Sequence, residues 1–73
     1  MEKIKITSEY IKLDQLLKFA NITENGADAK FLVQNGFVFV NGEVELRRGR
    51  KLFGDEEVEV KYDGQNIKVK VSR

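Results

Sequence analysis

Two short helices packed on a small, mostly antiparallel sheet of about four to five strands, an α+β fold, is what the residue pattern of this 73-residue chain predicts. Three observations carry the expectation. Apolar residues recur at helical spacing between Leu13 and Val33. They alternate with a period of two on either side, from Lys3 to Thr7 and again from Phe37 to Val71. The second alternating region is interrupted by Asn41-Gly42, Gly54-Asp55 and Asp63-Gly64, pairs that suit tight turns.

In chain order, Ile4 and Ile6 fall on one side of a short half-buried strand. Leu13, Leu16, Leu17 and Ala20 stand at i, i+3, i+4 and i+7, one stripe of a first helix of about two turns, and Asn21 supplies its stop. Asn25 is expected to cap a second helix, with Asp28 reaching back as capping-box partner; Ala29, Leu32 and Val33 repeat the stripe and Gly36 ends it. The small Ala20 and Ala29 permit the two helices to approach closely. Asn41-Gly42 predicts a type I′ hairpin, in which Val38, Val40, Val44 and Leu46 are expected to share one face. Val58, Val60 and Tyr62 then alternate against acids, and Asp63-Gly64 turns the chain into Ile67, Val69 and Val71, with Lys68 and Lys70 on the other side.

A chain this short makes one domain, residues 1–73, with one modest core, and buries only about 60–65% of the surface its unfolded form exposes. Cysteine and histidine are both absent, which removes disulfides, thiolate chemistry and the usual zinc ligand sets, and no cofactor motif is present. Glu56, Glu57 and Glu59 have no nucleophile or histidine to work with, so no catalytic residues and no metal ligands are assigned; their expected task is to repel misplaced phosphate and keep an edge strand soluble. No apolar run approaches a membrane span and the N-terminus lacks a signal-peptide stretch, so a cytoplasmic location is expected.

The charge is unevenly placed. Arg47-Arg48-Gly49-Arg50-Lys51 gathers four of the thirteen basic residues around one glycine, in a chain whose formal net charge is only +1, and Asp55, Glu56, Glu57 and Glu59 follow at once. Guanidinium forks match phosphate geometry, and Gly49 is expected to bend the backbone so that the side chains converge. Such polarity points to an oriented polyanion partner, the alternative being a solvated turn. In either case the arginines are expected to be exposed and to contribute little to stability.

Lys12-Leu13-Asp14, then Asn25-Gly26-Ala27-Asp28-Ala29-Lys30 with Leu32-Val33 behind it, Gly36, Val38, Val40-Asn41-Gly42 and Gly54-Asp55 together resemble the S-four RNA-binding domain, or alpha-L motif, in its small stand-alone bacterial form. The resemblance covers about residues 10 to 60. It implies structured RNA as partner, ribosomal RNA foremost and transfer RNA as the other option, with a function in ribosome assembly or quality control. Lys12 and Lys30 match the family's basic positions, whereas Gly26 and Gln15 stand where it often carries further charge. That shifts weight from the helix surface to the arginine loop.

The RNA-contacting set is therefore Arg47, Arg48, Arg50, Lys51, Lys30 and Lys12, although either lysine on the helices also serves simply to solubilise it. Gln34 could read a base edge or a ribose hydroxyl, and Phe31 and Tyr10 could stack on bases. Phe19, Phe37, Phe39 and Phe53 lie among apolar neighbours and are expected mostly in the core. The chain is expected to be a monomer, and the rival reading, from a different class, is a protein-interaction module that binds a partner such as a ribosomal protein through an exposed final strand, Ile67 to Val71, or through its acidic hairpin.

Overall fold

A computed structural model describes residues Met1–Arg73 in full. Strands β1 (Glu2–Lys5) and β2 (Ile11–Lys12) precede helices α1 (Leu13–Phe19) and α2 (Gly26–Gln34); β3 (Val38–Val40), β4 (Glu43–Val44), β5 (Lys51–Leu52), β6 (Glu57–Tyr62) and β7 (Gln65–Ser72) follow. Five strands form the main sheet in the order β1-β7-β6-β3-β4, antiparallel except for the β1–β7 pair, while β2 and β5 form a separate two-stranded ribbon.

Both helices end on the same device. Asn21 and Gly36 take positive φ one residue past the C-caps Ala20 and Asn35, and the next amides, Ile22 and Phe37, donate back to the carbonyls of Leu17 and Leu32. This is the Schellman arrangement, and it explains why an Asn and a Gly stand there. At the start of α2, Asn25 Oδ1 accepts from Asp28 N–H at 2.9 Å; the return bond from Asp28 expected of a capping box is not made. The helices lie on one face of the sheet and close a single core of Leu13, Leu16, Leu17, Ala29, Leu32 and Val33 against the sheet's buried Ile and Val residues, with Leu52 of β5 also fully enclosed.

The hairpin register differs from the expected one. Asn41 and Gly42 have the positive φ values of a type I′ turn, and a two-residue turn pairs Val40 with Glu43 and Phe39 with Val44. Glu43 and Glu45, at odd positions, therefore share the face of Val38 and Val40, while Val44 and Leu46 are more than half exposed. Two residues of turn shift the parity by one, and that exchanges the faces.

Three further expectations are corrected. The final strand is mostly covered: β7 lies between β1 and β6, so Val69 to Val71 are flanked on both sides and only its start, through Ile67 and Lys68, is unpaired on the β1 side, and β6, which carries Glu57 and Glu59, is likewise interior. Phe19 and Phe53 are exposed rather than core, and Phe37 and Phe39 are only partly buried. Their volume is not needed because aliphatic side chains alone fill the space between helices and sheet.

Candidate nucleic-acid interface

The β2–β5 ribbon, which the sequence does not announce, builds the basic site. Ile11 pairs with Leu52 and Lys12 with Lys51, bringing residues some forty positions apart into register. Beyond the ribbon, the amides of Leu13 and Asp14 donate to the carbonyls of Arg50 and Arg48 at 2.8 and 2.9 Å. A helix leaves its first amides without partners inside itself; here the backbone of the arginine loop supplies them. Gln15 completes the cap, its Oε1 accepting from Lys12 N–H at 3.1 Å. A lysine at this position would have no acceptor to offer the Lys12 amide.

Glu45 fixes the other side of the loop. Its carboxylate accepts from Arg47 Nε at 2.9 Å, Arg47 Nη2 at 3.1 Å and the Arg47 amide at 3.0 Å, and from Arg50 Nη1 at 3.0 Å. The side chain of Glu45 is 7% exposed and that of Arg47 75% exposed, so a buried acid holds a largely solvated cation by one edge of its fork. The hydrogen bond from the Arg47 guanidinium draws the Glu45 carboxyl down to about 2, against the desolvation that works to raise it. Of the five N–H groups of Arg47, two are committed to Glu45, leaving the outward edge for an anion. The expected exposed arginine turn holds for Arg47 and Arg48, while Arg50 is only partly exposed, and Arg47 and Arg50 both pair with a buried carboxylate as well as supplying surface charge. Gly49 is not what bends the loop, since it does not adopt positive φ and a Cβ there would meet nothing.

Arg47, Gly49, Arg50, Lys51 and Phe53 line a shallow depression. Tyr10 adjoins it: Lys51 Nζ sits 4.7 Å above the Tyr10 ring, and the Phe53 ring lies 6.0 Å from it. Phe53 is 48% exposed and is held by the carboxylate of Glu56, which accepts from the Phe53 and Gly54 amides at 2.8 and 2.7 Å. Arg73 binds the same loop, donating from Nε to the Phe53 carbonyl at 2.6 Å and from its terminal nitrogens to the carbonyls of Ser8 and Glu9. The structure thus brings Lys12, Arg47, Arg48, Arg50, Lys51 and Tyr10 together. Lys30 and Gln34 are exposed one turn apart on α2 and share no ion pair or hydrogen bond with this cluster. Phe31 sits among Phe37 and Tyr62, in a group of rings near the loop that leaves the far end of α1.

Sequence reasoning passes over Glu45 and Phe53. The signal for Glu45 was present, because the two-residue hairpin puts position 45 opposite Val38. For Phe53 no local signal exists, since its exposure follows from where β5 leaves the ribbon.

A family model for the S4 domain matches residues 4–70, nearly the whole chain. The chain belongs to the S4 domain family. A curated relative, the probable ribosome maturation protein RlbA of Bacillus subtilis (strain 168), is 41% identical over 61 residues, 84% of this S4 chain and 86% of that protein. Among solved structures, YbcJ of E. coli, described as having an alpha-L motif involved in RNA binding, superposes with a TM-score of 0.64 at 30% identity, covering 94% of this chain and 86% of its own. Heat shock protein 15 of Vibrio cholerae, solved as a trimer, shares the S4 fold with a TM-score of 0.77 at 17% identity; the match covers 89% of this chain and 65% of that one.

Proposed function

We propose that the chain is a non-catalytic RNA-binding module that grips structured ribosomal RNA through the basic ribbon and its loop, in the course of ribosome maturation. The observation that carries this reading is the juxtaposition of Lys12 with Lys51. Like charges directly opposite across two strands are unfavourable, yet the fold places them there and adds three arginines beside them. Neither lysine nor Arg48 has an acidic partner within the chain. Phosphate between these cations removes the repulsion. Of the carboxylates near these five cations only Glu45 pairs with any of them, and it holds only Arg47 and Arg50.

The relatives' printed descriptions support the same direction, RNA binding for YbcJ and ribosome maturation for RlbA. Shape and phosphate are the expected means of recognition, with Tyr10 and Phe53 as flanking aromatic surface for an unpaired base. Lys30 and Gln34 extend the contact along α2 only if the RNA spans both surfaces. Transfer RNA offers the same backbone and remains an outcome of the test. We place the activity in the cytoplasm, where such RNA is assembled, and treat the chain as a monomer; no helix is long and apolar enough to cross a membrane.

Titration of structured ribosomal RNA, transfer RNA and an unpaired oligonucleotide at several salt concentrations tests the reading. Engagement of four to six phosphates gives a slope of log affinity on log salt of about −3 to −5. A slope flatter than about −1 would rule out the electrostatic account.

A further inference from the structure

The second concavity of the molecule lies at the opposite end of α1 from the basic ribbon, about 10 Å along a seven-residue helix. Leu32 and Thr23, both buried, form its floor beside Ile22; the exposed rings of Phe31 and Tyr62 and the exposed carboxylates of Glu24 and Asp28 form its rim. Three kinds of acceptor in it lack a partner. Thr23 is 7% exposed, and its Oγ1 is the one buried side-chain polar atom in the molecule without a hydrogen bond. Glu24 and Asp28 enter no salt bridge. The faces of Phe31 and Tyr62, whose rings meet edge-on at 5.8 Å, carry no cation, although the molecule pairs lysines with Tyr10 and Phe39 elsewhere.

Acid, ring face and hydroxyl oxygen are complementary to one chemical group, a flat cation rich in N–H donors. We propose that this concavity is a docking site for an arginine side chain presented by a partner protein. The guanidinium lies against Phe31 and Tyr62, pairs with Glu24 and Asp28, and points a donor toward Thr23. Charge decides against RNA here: the concavity's only ionisable groups besides Tyr62 are acids, which repel the phosphates that accompany any base. Lys30 does not offset them, because two residues of helix place it about 200° around α2 from Asp28. The chain would then hold RNA at one end of α1 and a basic protein segment at the other.

The test is amide-resolved NMR on the full chain, titrated with acetyl-Gly-Arg-Gly amide and with its citrulline counterpart, which keeps the shape and loses the charge. The expected result is saturable shifts at Thr23, Glu24, Asp28 and Phe31, with the citrulline peptide about tenfold weaker. Glu24→Gln should weaken the arginine peptide about threefold or more while the affinity for structured RNA stays unchanged. Equal binding of the citrulline peptide, shifts centred instead on Glu57 and Glu59, or an unchanged affinity in Glu24→Gln would each overturn the assignment. So would movement of the Thr23 and Phe31 signals by an unpaired oligonucleotide in place of the peptide, which would make the concavity a nucleobase site.

Discussion

Glu45 reaches the inner side of the hairpin because a two-residue Asn-Gly turn sets it against Val38, and once there its carboxylate has to be hydrogen-bonded or neutralised. Arg47 and Arg50 do this, and the carboxyl's folded value of about 2 lies below its ordinary 4.5. A depressed carboxylate stabilises the fold fully above its unfolded value and loses that contribution as the pH falls through the folded one. Urea unfolding should therefore show a loss of about 1 to 3 kcal/mol between pH 4.5 and about 2 that is traceable to this group. Glu45→Gln should cost a similar amount at neutral pH and flatten the acid limb. Superimposable pH profiles for the two proteins would show the ion pair to be energetically idle.

The arginine loop mixes two tasks, and single substitutions separate them. Arg48 has no acidic partner, so Arg48→Ala should leave the melting temperature nearly unchanged, within about 0.5 kcal/mol, and weaken RNA binding. Arg50→Ala removes a strut from a buried carboxylate and should lower both stability and RNA affinity. If Arg48→Ala destabilised as much as Arg50→Ala, the division would be wrong. Gly49→Ala should melt like the parent, since no positive φ and no neighbour stands in the way of a Cβ. The packing of α2 makes a contrast: Leu32→Ala takes a buried side chain from a core of only fifteen residues and should cost about 2 to 4 kcal/mol in thermal or urea melts.

Taken together, the elements separate charge and protect edges. The sheet is closed on one side by β1, whose parallel pairing occupies β7 and whose Ile4, with Ile6 just beyond it, completes the core. Deleting residues 1 to 6 should uncover the long β7 as an open edge, lower stability and promote self-association, measurable by sedimentation velocity. A truncated chain that stays monomeric and equally stable would show that β1 is dispensable. The same arrangement keeps the basic ribbon away from the acid-rimmed concavity, so that a molecule of almost no net charge still presents two surfaces of opposite sign.

Local signals carried most features that depend on neighbours in sequence, the exceptions being the faces of the Asn41-Gly42 hairpin, the Asp28 return bond and the part of Gly49. The leucine stripes, the Asn25 cap, the stops at Asn21 and Gly36 and the Asn41-Gly42 turn each rest on contacts spanning a few residues, and the structure has all of them. The basic composition of positions 47 to 51 was equally plain. What could not be read locally is which cations meet and which strand is covered. Lys12 faces Lys51 because β2 and β5 pair across some forty residues, β7 is interior because it returns beside β1, and Phe53 is exposed because of where β5 leaves the ribbon. Such pairings are chosen by the burial of the whole core and by the backbone hydrogen bonds that close it. Periodicity tells which face of a segment is apolar, but only the assembled sheet decides what that face, and the polar one behind it, will meet.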